Sequence, residues 1–228
     1  MNASYSHGVS TRALIGKTLG DVLDEVAVEF AANEALVSVF ENQRFTYARF
    51  RDEVNRCARA MMALGVQKGD RVGIWSTNCL AWVLAQFATA KLGVILVNIN
   101  PAYRTHELEF ALKHSECSVL ISGEGFRDAD YAAMLHQLVP ELASADPHQD
   151  LRSEKYPQLR RLVFLGDRPK TGFLNWNELL SWAERVAPWK HRRASWPQRR
   201  DPFASQQARQ LRKQRLRFAQ RRRLASAD

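Results

Sequence analysis

Cysteine is scarce and unpatterned in this chain: the 228 residues include three, Cys57, Cys79 and Cys117, with no CxxC spacing. That excludes a disulfide framework and a paired-thiolate zinc site, and leaves the three as small apolar core residues in a reducing compartment. The six histidines (His7, His106, His114, His136, His148, His191) form no HExxH and no paired spacing with carboxylates, so no metal site is assigned. A GxSxG elbow is absent, which leaves a hydrolase serine without support. Gly16-Lys17-Thr18 has the ending of a P-loop, but Thr11 stands where that loop needs its first glycine and no β-run precedes it. Thr18 reads instead as an N-cap, with Asp21 near the third helical position. Gly123-Glu124-Gly125 lacks the third glycine of a dinucleotide fingerprint and reads as a plain strand-to-helix turn. The N-terminus has no charged stretch followed by an apolar one, so no signal peptide is expected and the cytoplasm is the expected compartment.

A long uninterrupted apolar run is also missing. Leu80 to Val97 comes nearest to a membrane span, but it contains Gln86 and Lys91, and Gly93 stands where a helix would end. No integral membrane span is expected. Acidic residues are nearly absent from one place, Trp189 to Asp228, which holds 13 Lys+Arg and 2 Asp+Glu. The whole chain has 33 basic and 24 acidic residues and a net charge of +9, so residues 1–188 carry 20 against 22, a net of −2. The basic character therefore belongs to the tail and not to the body.

What is present organises itself around Gly69 to Tyr103. Arg71 to Trp75 is a β-rich run, Asn78 to Leu92 is helix-length with few polar residues, Gly93 stops it, and Val94 to Val97 is a continuous apolar strand. Strand, helix and strand in this order make a βαβ unit and imply a parallel sheet. Upstream, a helix is expected from Thr18 to about Ala32, with Leu19, Val22, Leu23, Val26 and Phe30 as its apolar stripe. Ala35 to Phe40 and Phe45 to Tyr47 read as a hairpin about a turn at Glu41 to Arg44. Thr46 caps a helix from Tyr47 to Leu64 that buries Phe50, Val54, Cys57, Ala58, Met61 and Leu64. Downstream, Asn98 to Tyr103 is a loop, since Pro101 holds Asn100 out of the α region. Thr105 caps a helix over 106–115, with Leu108, Ala111 and Leu112 inward. Cys117 to Ser122 is a strand, Ala129 to Leu142 a helix, Ala143 to Pro157 a surface loop, Leu162 to Leu165 a strand and Leu174 to Val186 a helix. The alternation defines an α/β layered fold, a mostly parallel sheet with right-handed crossovers and helices on both faces.

The tail changes language at Trp189. Eleven of its 13 basic residues are Arg, and its few large apolar residues cannot offset the entropy of ordering the backbone. It is expected to be disordered, with a frayed helix over 206–224. Three readings stand: an arm that binds nucleic acid or an acidic partner electrostatically, a solvated extension without a role, or the out-of-frame translation of a GC-rich gene.

Several stretches of the body carry a family pattern: Phe45-Thr46-Tyr47 with Phe50; Leu64-Gly65-Val66 and Lys68-Gly69-Asp70-Arg71-Val72; Trp75 and Asn78; Ala90-Lys91-Leu92-Gly93-Val94; Val97-Asn98-Ile99-Asn100-Pro101-Ala102-Tyr103; and Glu107-Leu108. On these, Thr18 to Val186 resembles the N-terminal part of the adenylate-forming acyl-CoA synthetases, the AMP-binding superfamily, and within it the fatty-acyl or medium-chain branch. The resemblance implies a ligase that joins a fatty or other carboxylic acid to CoA through an acyl-adenylate, with ATP, Mg and CoA as the requirements of full-length members. That chemistry needs a TSGTTG-x-PKG phosphate loop, an acidic residue for the ribose and a lysine at the reacting phosphate. No position of this sequence matches them. The Arg-rich tail stands where the loop follows in the family, so the resemblance implies truncation before the catalytic machinery. No catalytic, cofactor-binding or metal residue is carried over, and the chain alone is expected to be inactive and to hold no cofactor. With the out-of-frame reading then favoured for the tail, the expected organisation is a loose lead over 1–17, a partial synthetase domain over 18–188 and the tail over 189–228.

Overall fold

The computed structural model describes residues 15–187. The expectations for most of the N-terminal lead and for the Arg-rich tail, its helix included, lie outside the described residues.

Helix α1 (Leu19–Glu29) opens on the expected cap: the Thr18 hydroxyl accepts from the Asp21 N–H at 3.1 Å, and the Asp21 carboxylate accepts from the Thr18 N–H at 3.3 Å. Its buried face differs from the expected stripe. Gly20, Leu23 and Ala27 point inward, while Leu19 and Phe30 are exposed. The cause is Lys91. A Cβ on Gly20 would lie 2.9 Å from the Lys91 Cγ, and the Lys91 ammonium donates to Asp24 at 2.5 Å and to Asn55 at 2.7 Å. The helix thus docks partly through a charged node, which hydrophobic periodicity does not register.

Strands β1 (Glu34–Ser38) and β2 (Gln43–Thr46) form the antiparallel hairpin. The Thr46 hydroxyl accepts from the Arg49 N–H at 3.3 Å and starts α2 (Tyr47–Ala63), which buries Phe50, Val54, Cys57, Ala58 and Met61 as the spacing predicts. The central unit follows as β3 (Arg71–Trp75), α3 (Leu80–Leu92) and β4 (Ile95–Ile99). Gly93 ends α3 with φ 66°, a left-handed value that disfavours any residue with a Cβ. Strand β4 runs two residues beyond the apolar run. Ile74 pairs with Asn98 and Trp75 with Ile99, so Asn98 and Ile99 belong to the sheet and not to the loop expected there.

Thr105 is the first residue of α4 (Thr105–Ser115) and not its cap; the Glu107 carboxylate accepts from the Arg104 N–H at 3.0 Å. After β5 (Val119–Ser122), the expected plain turn is a small hairpin of β6 (Gly125–Phe126) and β7 (Ala129–Asp130). A Cβ on Gly125 would lie 2.0 Å from the Ala129 carbonyl oxygen, so the glycine permits this close approach. Helix α5 (Tyr131–Leu138) ends before Pro140, which opens a 3-10 turn, Pro140–Ala143, in place of the expected last helical turn. The region after β8 (Arg161–Phe164) also departs from expectation. The long helix from Leu174 is replaced by β9 (Leu174–Asn175), a short α6 (Trp176–Ser181) and a 3-10 turn, Trp182–Arg185. Leu174 pairs with Val163, and the Asn175 side chain accepts from the Asn177 N–H at 2.9 Å, turning strand into helix at once.

Among the described residues the main sheet has five strands in the order β4-β3-β5-β8-β9, every pair parallel. Trp75, Ile99, Leu120, Leu162 and Phe164 pack with Leu108 and Leu112 of α4 and Tyr131 and Leu135 of α5. Val72, Ile74, Val119, Ile121 and Val163 alternate with them, are equally buried, and point to the opposite face, that of the crossover helix α3, against which α2 packs. Helices on both faces of a parallel sheet are the arrangement the sequence predicts. No helix among the described residues is long and apolar enough to cross a membrane.

Candidate functional site

The strand order reverses at β3. The chain moves from β3 outward to β4, then returns to place β5 on the other side of β3. The crevice outside the carboxyl ends of the strands at such a point is where open α/β sheets bind ligands. A cleft of about 690 Å³ lies there, bounded by Ser76 and Thr77 after β3, Gly123 to Gly125 after β5, and Leu165 to Asp167 after β8. Its outer walls come from the hairpin (Phe40, Glu41, Phe45), α2 (Arg49, Glu53), the start of α3 and α6.

The lining is already committed to internal contacts. One Glu41 carboxylate oxygen accepts from the Leu80 N–H at 2.7 Å and from the Ser38 hydroxyl at 2.5 Å, so the start of α3 holds a side chain of this protein. The Arg49 guanidinium lies 4.4 Å over the Phe45 ring. Gly123 donates to the Trp75 carbonyl at 2.9 Å, and an added Cβ would meet the Ser76 Oγ at 2.7 Å. A Cβ on Gly166 would meet the Glu124 Oε1 at 2.7 Å. These glycines allow the three strand ends to converge. The charged residues of the lining are Glu41, Glu53, Glu124 and Asp167 against Arg49, an excess of negative charge that does not fit a nucleoside triphosphate.

The other stretches singled out in the sequence are scaffold. The Asn100 carbonyl accepts from the Trp75 indole at 3.1 Å, its side chain accepts from the Ala102 N–H at 2.9 Å, and the Pro101 carbonyl accepts from the Tyr131 hydroxyl at 2.5 Å. The Asn-Pro turn therefore ties β4 to the core beneath α5. Lys17 pairs with Glu25 at 2.5 Å. Cys57 and Cys117 are buried, and burial pushes the Cys57 thiol up to about 12. Among the described residues no group of three His, Cys, Asp or Glu could hold a metal ion. The cleft residues Glu41, Glu53, Glu124 and Asp167 gave no signal in the sequence. They stand far apart along the chain and meet only through the strand order, which one sequence does not determine.

An open parallel sheet with its cleft at this point belongs to the doubly wound α/β class. Within it, the chain belongs to the AMP-binding enzyme family, whose model matches residues 23–204. It is 40% identical over 178 residues to the mitochondrial medium-chain acyl-CoA ligase ACSF2 of Rattus norvegicus, a match covering 78% of this chain and 29% of that protein. YngI of Bacillus subtilis (strain 168) is 38% identical over 173 residues, covering 76% of this chain and 31% of that protein. The chain thus spans about three tenths of the length of these relatives. The fold is shared with the anthranilate CoA ligase AuaEII in complex with anthranoyl-AMP (TM-score 0.58, 23% identity, 76% of this chain and 29% of that one). It is shared also with the N-terminal domain of FACL13 from Mycobacterium tuberculosis (TM-score 0.56, 23% identity, 76% and 37%).

Proposed function

We propose that residues 18–188 are the N-terminal α/β part of an ATP-dependent carboxylic acid–CoA ligase that acts through an acyl-adenylate on a fatty or medium-chain acid. The observation that carries this reading is the 40% identity to a medium-chain acyl-CoA ligase over 178 residues. We further propose that this chain does not catalyse the reaction alone. In support, the cleft at the strand ends is lined by four carboxylates and one arginine, with no lysine, and preorganised positive charge is what a phosphate-activating step requires. ATP, Mg and CoA then belong to the full-length members of the family.

The test is pyrophosphate release by the purified chain with MgATP, CoA and a series of saturated fatty acids. No release above background is expected; turnover that follows the protein through purification would overturn the inactivity. Turnover with medium-chain acids would still support the ligase assignment. For the tail, the nucleotides from about codon 187 onward are read in the other two frames. A TSGTTG-x-PKG-like sequence is expected in one of them, and its absence from both would make residues 189–228 a genuine extension.

A further inference from the structure

Four of the helices carry their own caps. Thr18, Thr46, Asp130 and Asn175, each the residue immediately before its helix, accept from a first-turn N–H of α1, α2, α5 and α6. Cys79 holds that place before α3 and makes no such bond; its thiol lies 3.7 Å from the Ser76 hydroxyl, at the cleft. The acceptor for α3 comes instead from Glu41, at the tip of the β1–β2 hairpin and 39 residues before Leu80. Little else holds that tip. Val39 is 84% exposed and Phe40 fully exposed, so neither side chain anchors it. Within the hairpin, the Asn42 N–H donates to the Val39 carbonyl at 3.2 Å, and the Ser38 hydroxyl holds the Glu41 carboxylate. Among the described residues, the bond from Leu80 to Glu41 is the one hydrogen bond that joins residues 39–42 to anything beyond the hairpin. The base of the hairpin is fixed by contrast. Phe45 is buried, and the Tyr47 and Ala48 N–H groups donate to the Asn33 and Ala31 carbonyls at 3.0 and 3.1 Å. Phe40 and Glu41 form part of the cleft wall, and Cys79 and Leu80 are half-buried there.

We propose that residues 39–42 are a strap, hinged at the hairpin base and latched by Glu41, whose release opens the strand-end cleft and uncaps α3 in one movement. A helix whose cap sits on its own chain keeps it however its neighbours move. The cap of α3 leaves with the strap, so the first turn of α3 loosens as the cleft widens. The strap governs access to the cleft whatever the cleft binds, and stands apart from the ligase reading.

Alkylation of the full chain by iodoacetamide, followed cysteine by cysteine through peptide mass spectrometry, tests this. Cys79 adjoins the latch, while Cys57 and Cys117 are buried and serve as internal references. The thiolate is the reacting form, so each rate rises with pH to a plateau above the thiol's pKa, about 8.5 for a free cysteine. Glu41→Ala is expected to raise the Cys79 plateau about tenfold or more, the weight of one charge-assisted hydrogen bond in an opening equilibrium, with the references unchanged. Ser38→Ala frees the carboxylate without removing it and is expected to raise the plateau less. Amide exchange should quicken in step at Val83 and Leu84, whose N–H groups close the first turn of α3. Loss of the Glu41 charge by itself would ease thiolate formation at Cys79. It would move the midpoint and slightly lower the plateau, because a more acidic thiol is a weaker nucleophile. A shifted midpoint without a raised plateau therefore overturns the strap, as does an unchanged profile. Acceleration of all three cysteines would make Glu41 a support of the whole fold and overturns it equally. A raised plateau with Val83 and Leu84 unmoved overturns the joint movement.

Discussion

Tyr131 and Tyr156 are both buried phenols, and they answer differently to loss of the hydroxyl. Tyr131 stacks on Trp75 with ring centroids 3.6 Å apart and donates to the Pro101 carbonyl at 2.5 Å. Burial pushes it from the ordinary 10.0 up to about 12. The fold keeps the neutral phenol, so this contribution to stability is complete below about pH 10 and is lost as the pH rises through about 12. Tyr131→Phe removes the bond and is expected to cost about 1–2 kcal/mol at neutral pH. By urea denaturation, the gap to the parent chain should narrow between pH 10 and 12. A gap unchanged over that range would contradict the titration. Tyr156 is also pushed up to about 12, by burial first and then by the Glu109 charge. Its hydroxyl has no hydrogen-bond partner among the described residues. Tyr156→Phe relieves an uncompensated desolvation and should leave stability unchanged or raise it by up to about 1 kcal/mol. A loss matching that of Tyr131→Phe would show that the hydroxyl is paired.

Helix α1 is held by two separable devices. Its first turn depends on the Thr18–Asp21 capping box, and its inner face on Lys91, whose side chain is only 6% exposed. Thr18→Ala is expected to cost about 1 kcal/mol, with faster amide exchange confined to the first turn. Lys91→Met removes the ammonium from Asp24 and Asn55 and should cost about 2–4 kcal/mol, with exchange accelerated along all of 19–29 while α2 stays protected. If both variants lose the same protection, the cap and the ion pair do not act separately. The same contrast shows what was legible in the sequence. The Thr18 cap, β3 and the Gly93 stop are local patterns, each readable from a few neighbouring residues, and the structure has them where the sequence places them. The inner face of α1 is set by a lysine 67 residues from Asp24, so periodicity alone put Leu19 inside and left Gly20 unremarked. Strand β9 has only two residues and exists because β8 offers an edge to Leu174. The cleft was not legible for the same reason: its carboxylates meet only once β5 crosses to the far side of β3.

Charge divides the chain into two unequal parts. Residues 1–188 carry a net −2 and Trp189 to Asp228 a net +11, and the strand-end cleft of the body is itself acidic. The net positive charge that would attract a polyanion lies in 189–228. The full chain is expected to bind single-stranded nucleic acid, with log K falling by about 0.7 per neutralised phosphate for each log unit of salt. A chain ending at Pro188 should show no binding at any salt concentration; retained binding would place the site on the body. The comparison of sequences matters more than the affinity. Phosphate contacts position a ligand without reading its bases, so charge alone gives equal binding to oligonucleotides of unrelated sequence. Equal binding is the expected outcome. It follows from eleven arginines whatever their origin, and is therefore compatible with an out-of-frame tail. A preference of tenfold or more for one sequence requires contacts beyond charge, and would favour a nucleic-acid role for the tail over an accident of translation.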